Sequence, residues 1–310
     1  MTGLMKRDFQ QLPSQATPMP YAVSSLSDLP GSLQEAARHY LSPADRLVSI
    51  YVFPGRTHLK DMYRWENVSE QALLFTDTAV QHIQAPASSD QPARLPERRS
   101  LRATDLLYTR LSLILMYGRL ELVDKNLTRL AVDFNAAGFN IIQPGLQQLL
   151  ETACARDSFA SPDGDLTKKH LESLGELSYK FKNGLHLYGL LPGEQLLGFV
   201  FQPALWMRRW KLFPRKKSET TLLALTNKQL IVVEERASSR FPAYGWILTF
   251  HPRHAIKKIE LAFKQPWHEL AIGLKGSAGL NNDQRLALEA PNALVWQELW
   301  SRFGDNRAAP

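Results

Sequence analysis

This chain reads as one pattern written twice, and the duplication limits its architecture more than any other feature. Asp45 to Phe53 reads as a strand after a Ser42-Pro43 turn, and Glu194 to Phe201 reads the same way after Pro192-Gly193. Two apolar runs flank Thr76-Asp77, and two more flank Thr226-Asn227; each is a hairpin signal. The spacing is nearly constant. Phe53 and Phe201 lie 148 positions apart, Thr76 and Thr226 150, and Pro144 and Pro291 147. The alternating strand Leu111, Leu113, Leu115 matches Ile259, Leu261, Phe263 at 148. Pro144 and Pro291 are each expected in the first turn of a helix, where proline's missing N–H costs nothing.

Each half therefore predicts several short strands followed by one helix. Leu146, Leu149, Leu150 and Ala153 fall at helical spacing in the first half. In the second, Leu294, Val295, Leu299 and Phe303 do so, joined by Trp296 and Trp300, which read as core anchors. The expected division is a flexible tail over 1–28, a first domain over 29–156, a linker over 157–165 and a second domain over 166–310. Pro, Ser and Gln enrich the tail, and breakers fill the linker. Asp163-Gly164-Asp165 is no calcium loop. With Gly164 at loop position six, Phe159 and Ser161 would occupy ligand positions, and His170 would replace the closing Glu. Asp165 reads instead as the N-cap of a helix through Leu166, Leu171, Leu174 and Leu177, and a similar short helix, Ser32 to Tyr40, precedes the first strand of the first half.

A run of antiparallel strands closed by one tryptophan-bearing helix resembles the pleckstrin homology (PH) fold. The hairpin from Leu222 to Val233, with its Leu225-Thr226-Asn227 turn, is similar to a phrase common in bacterial PH-like domains. The resemblance covers roughly 41–155 and 191–303. It implies a mainly β fold with α: two tandem PH-like antiparallel barrels or sandwiches, each capped by a C-terminal helix. It also implies a binding module rather than an enzyme.

Charge is unevenly divided. The chain carries 37 Lys+Arg against 30 Asp+Glu, and most of the excess lies in the second half. Arg208-Arg209-Trp210-Lys211-Leu212-Phe213-Pro214-Arg215-Lys216-Lys217 holds six cations and no acid. In PH domains that resemble this one, the loop at this point carries the basic residues that grip headgroup phosphates. Guanidinium forks and ammonium groups suit phosphate oxygens, and aromatic rings favour the headgroup level. The expected anionic-ligand or membrane-binding residues are thus Arg208, Arg209, Trp210, Lys211, Phe213, Arg215, Lys216 and Lys217. Two partners stay open: an anionic lipid surface or phosphorylated ligand, and a protein. The corresponding stretch of the first half, Gly55 to Ser69, is close to charge-balanced.

Other classes find no support. No helix-turn-helix or Arg/Gly-rich tract points to nucleic acid. No phosphate loop, nucleophile elbow or His-Glu-x-x-His motif points to catalysis, and no cofactor is implied. The one cysteine, Cys154, reads as a buried thiol, and His251-Pro252-Arg253-His254 as a turn without a third metal ligand. Leu196 to Met207 is the most apolar window; Gln202 and Pro203 break it, short of the ~18 residues a spanning helix needs. Polar residues after Lys6 and Arg7 leave no signal-peptide core. The expected location is the cytoplasm, with peripheral contact on the inner face of the membrane.

Overall fold

Local chemistry sets the hairpin turns. In the computed structural model, which describes residues 18–41, 45–61, 64–85, 97–155, 165–209, 213–235, 245–276 and 284–304, the Thr76 hydroxyl donates to the Ala79 carbonyl at 3.1 Å and accepts the Ala79 N–H at 3.0 Å. Thr226 Oγ1 makes the same pair of contacts to Gln229, at 2.9 and 2.8 Å. A hydroxyl that closes its own turn defines the hairpin before any distant contact forms.

The two halves repeat one element order. The first contains β1 (Tyr21–Val23), α1 (Gly31–Tyr40), β2 (Leu47–Phe53), β3 (Arg56–Asp61), β4 (Arg64–Val68), β5 (Gln71–Thr76), β6 (Ala79–Gln84), β7 (Glu97–Arg102), β8 (Leu106–Ile114), β9 (Tyr117–Asp124), β10 (Arg129–Asn135) and α2 (Phe139–Cys154). The second contains α3 (Asp165–Leu177), α4 (Tyr179–Gly184), β11 (Leu196–Gln202), β12 (Leu205–Arg209), β13 (Phe213–Ser218), β14 (Thr221–Thr226), β15 (Gln229–Glu235), β16 (Gly245–Pro252), β17 (Ile256–Lys264), β18 (Trp267–Leu274), β19 (Gln284–Leu288) and α5 (Ala290–Phe303). The β2–β5 register shifts between Leu47 and Ser49, and the β11–β14 register shifts at the matching place, between Leu196 and Gly198.

Several sequence expectations move. The strand matched at 148 sits at 150, since β8 begins at Leu106 and β17 at Ile256. Leu111 therefore corresponds to Leu261 and Leu113 to Phe263. A slip of two keeps every side chain on its own face, so alternation alone could not detect it. The expected tail reaches less far than residue 28, because Tyr21–Val23 pairs with β2, Tyr21 opposite Val52. Residues 1–17 and 156–164 lie outside the described residues, and Asp165 is the first residue of α3. Pro144 does not open its helix. The chain turns helical by Phe139, helped by the Asn135 side chain accepting the Ala137 N–H, so Pro144 falls inside α2. Next to it, the Gly145 N–H donates to the Tyr51 hydroxyl at 3.1 Å. Pro291, by contrast, sits in the first turn of α5 as expected.

The fold is mainly β with helices, built from antiparallel sheets. One runs β1-β2-β5-β6-β7, a second β10-β9-β8-β16-β15-β14-β11 and a third β17-β18-β19; β3–β4 and β12–β13 are separate hairpins. The second sheet crosses from one half to the other. The sequence suggests two modules side by side, whereas here β8 pairs with β16 from Thr109 opposite Phe250 to Ile114 opposite Gly245. A Cβ on Gly245 would meet Ile114 Cγ1 at 2.8 Å and the Leu113 carbonyl oxygen at 2.9 Å, so the joint needs glycine there.

Packing follows the joint. One apolar core gathers Tyr51, Phe53, Leu73 and Phe75, the α2 residues Leu146, Leu149 and Leu150, and Leu111 and Leu120; it continues into Leu222, Ile231, Leu248 and Phe250. Phe181 of α4 meets Phe201 and Trp246 edge-on, at 5.2 and 5.1 Å between ring centroids. The opposite face of β14 and β15 supplies Leu223, Leu225, Leu230 and Val232 to a second core with Trp296 of α5. The far face of the first sheet is covered by Leu33, Ala36 and Ala37 of α1. The apolar stripe of α5 is rotated from expectation. Ala293 and Trp296 are buried, with Leu299, Trp300 and Phe303 packed beside them, while Leu294 and Val295 are exposed. Trp296 and Trp300 stack at 6.0 Å, and the large indoles set which face turns inward.

Because the first core spans both halves, far-UV circular dichroism and tryptophan fluorescence should report one coincident urea transition. Gly245→Val should lower stability by about 2 kcal/mol through overpacking at the joint, measured as a shift of the urea midpoint.

Candidate basic-aromatic binding site

The cationic run expected as a loop is part of a β-hairpin. Arg208 and Arg209 end β12, and Phe213 to Lys217 belong to β13. The register sets Trp206 opposite Lys216, Met207 opposite Arg215, Arg208 opposite Pro214 and Arg209 opposite Phe213. The pairing runs from Leu205 opposite Ser218 to Arg209 opposite Phe213. Trp210, Lys211 and Leu212 lie outside the described residues; for Arg208, Arg209, Phe213 and Arg215 the backbone alone is described.

The described side chains combine cations with aromatic rings. Lys216 Nζ lies 5.9 Å from the Trp206 ring centroid and also forms an ion pair with Glu219. Lys217 Nζ lies 4.7 Å from the ring centroid of Trp267, at the start of β18. An ammonium over an indole face is attracted by the ring quadrupole, and the aliphatic stem can lie along the apolar surface. Trp206 is 62% exposed and Met207 38%, and Phe263 near the β17–β18 turn is 65% exposed. Large apolar groups this open beside cations favour contact with something other than water.

Sequence reasoning missed Trp206, Met207 and Trp267. The signal for the first two was present, since they stand directly before Arg208, but an apolar pair after a strand also reads as its buried continuation. Trp267 is distant in sequence and joins the hairpin only through folding. Glu219, just beyond the run, offsets one of its cations.

The corresponding hairpin of the first half is rooted differently. Arg56 pairs with Asp133 at 3.3 Å; Asp133 also receives Arg119 at 3.1 Å and the Tyr117 hydroxyl at 2.9 Å. Burial, then the Asp133 charge, pushes the Tyr117 hydroxyl up to about 12. That cluster is internally compensated.

Several buried titratable groups elsewhere bond to neighbouring elements. Glu194 accepts the Leu191 N–H at 2.7 Å and the Gln229 amide at 3.0 Å and contacts Thr226; burial raises its carboxyl above the usual range. Arg253, expected in a turn, is buried and donates to the Phe303 and Gly304 carbonyls at the end of α5, where a cation suits the helix dipole. His251 belongs to β16 rather than to a turn, and its Nε2 meets Gln284 Oε1 at 2.7 Å. Cys154 is buried. Among the described residues, no group of three or more His, Cys, Asp or Glu is arranged to hold a metal ion. Among the same residues, no helix is long and apolar enough to cross a membrane.

No protein-family model matches this chain, and no curated protein matches it. Among solved structures it is similar to a DUF1696 family protein with a pleckstrin-homology domain from Shewanella loihica PV-4, at 17% identity. That match covers 43% of this chain and 92% of the other, with a TM-score of 0.27. It is also similar to a pleckstrin homology domain from Shewanella amazonensis SB2B, at 17% identity over 43% of this chain and 97% of the other, with a TM-score of 0.23.

His82 and His251 make acid sensitivity predictable. Burial, the leading cause for both, lowers each imidazole to about 4. The unfolded chain then binds protons that the folded chain refuses, so stability is full above about pH 6.5 and falls as pH drops toward 4. Each histidine should contribute a loss of roughly 2 kcal/mol between pH 6.5 and 5. Urea titrations at both pH values should show the fall, and His251→Asn should remove about half of it.

Proposed function

We infer that the chain is a non-catalytic binding protein of two tandem PH-like repeats, over 29–156 and 166–310, whose second repeat docks on an anionic membrane surface. The β12–β13 hairpin provides the contact through Arg208, Arg209, Trp210, Lys211, Phe213, Arg215, Lys216 and Lys217, with Trp206 and Met207 beside them. The single observation that carries this reading is the exposure of Trp206 on a hairpin whose facing strand is cationic. Also in support, the first half holds its hairpin root in an ion pair with Asp133, whereas Lys217 rests on an indole.

The magnitudes suit reversible docking. A cation near an anionic leaflet contributes about 1 kcal/mol, so the run contributes at most about 5 kcal/mol once Glu219 offsets Lys216. Screening and ordering reduce that further. Trp206 adds an interfacial ring without anchoring the protein permanently.

Co-sedimentation with phosphatidylserine-containing vesicles tests the reading. Binding should exceed that to neutral phosphatidylcholine vesicles and fall when salt rises from about 0.1 to about 0.5 M. Alanine at Arg208, Arg209, Lys211, Arg215 and Lys217 together should weaken it at least about tenfold, and Trp206→Ala should weaken it separately. Binding indifferent to these changes, or none to anionic vesicles, overturns the proposal.

A further inference from the structure

The joint between the halves shows what a strand in the position of β8 can accept, and β17 occupies that position in the second half. β8 and β17 begin 150 residues apart, and each is followed by a hairpin partner at the same spacing. The outer edge of β8 is covered by β16. Among the described residues, β17 pairs with β18 alone and stands at the edge of its sheet. The difference shows in burial. Thr109, Leu111, Leu113 and Ile114 of β8 are buried; their counterparts Ile259 and Leu261 are half-buried, Phe263 is 65% exposed and Lys264 is exposed.

We propose that the open edge of β17, from Ile259 to Lys264, accepts an extended acidic-apolar segment of a partner protein as an added antiparallel strand. This goes beyond the membrane reading and uses a different surface. The β8–β16 register supplies the template. Trp246, Leu248 and Phe250 face Leu113, Leu111 and Thr109. Carried over by 150 positions, an incoming strand sets alternate apolar residues opposite Phe263, Leu261 and Ile259. Backbone pairing supplies affinity, and the alternating side chains supply selection. Lys257 and Lys264 flank the row, and Lys258 pairs with Glu260 at 2.8 Å. Cations at both ends favour acidic residues at both ends of the incoming segment.

Lysines on an edge strand commonly block unwanted pairing. A blocked edge has no need of an exposed Phe263, however, and here the lysines flank an apolar row. A second copy of the chain fits poorly. Its counterpart to β16 is β7, since Arg102 pairs with Ala79 as Pro252 pairs with Gln229. β7 would bring Arg98 and Ser100 where the template has Leu248 and Phe250, and would set its arginines among the lysines of β17.

The test uses the full chain and a fluorescein-labelled peptide of sequence Asp-Trp-Thr-Leu-Thr-Phe-Thr-Glu, which in this register sets its Asp opposite Lys264 and its Glu opposite Lys257. Fluorescence anisotropy should show saturable binding, and hydrogen exchange should slow at the amides of 259–264. N-methylation of alternate peptide residues, which spares side chains but removes strand pairing, should weaken binding more than about tenfold. Exchanging the peptide's acids for lysines, or combining Lys257→Glu with Lys264→Glu, should weaken it about tenfold. No saturable binding, or equal binding of the N-methylated peptide, overturns the proposal. So does self-association of the chain that already protects 259–264 and is lost in Lys264→Glu, because a second copy would then be the occupant.

Discussion

Everything else in the molecule hangs on the backbone ladder between β8 and β16. Each strand belongs to a different half, yet their edges meet over 109–114 and 245–250. The ladder satisfies polar groups that would otherwise be open edges. It also aligns one face of the second-half strands with the core of the first. Leu248 and Phe250 thereby join Leu111 and Leu120 in a single apolar body. Gly245 permits the approach, because a side chain there would collide with Ile114.

The two halves share an order of elements and differ in what they leave open. Each has a helix before its first long strand, a hairpin after it, a bulge at the same register and a terminal helix. Where the first half closes its hairpin root with Arg56 and Asp133, the second turns Trp206 toward solvent. Where the first half pairs β8 with a neighbour on each side, the second, among the described residues, leaves β17 at an edge. Both asymmetries expose an aromatic ring on the second half, Trp206 in one case and Phe263 in the other, and that half also carries most of the excess positive charge.

Much of this was legible in the residues. The Thr76 and Thr226 turns were readable because a hydroxyl beside Asp or Asn closes a turn locally. The stripe Leu146, Leu149, Leu150 and Ala153 was readable because helical spacing reports a buried face, and all four are buried. Features resting on competition between elements were not. Pro144 reads as a helix opener until the turn at Asn135 starts the helix earlier. Leu294 and Val295 read as core until Trp296 claims the inward face. The cationic run reads as a loop because composition does not reveal that Trp206 and Lys216 stand opposite one another.

By itself, the sequence determined the turns, the strand and helix periods, the spacing that matches elements of one half to elements of the other, and the half that carries the excess charge. These are properties of neighbouring residues. Only the tertiary structure decided that the halves share a sheet, that Lys217 rests on Trp267 and that β17 keeps an unoccupied edge among the described residues. Strand pairing joins N–H and C=O groups that every residue but proline carries alike, so side-chain order names the strands without naming their neighbours.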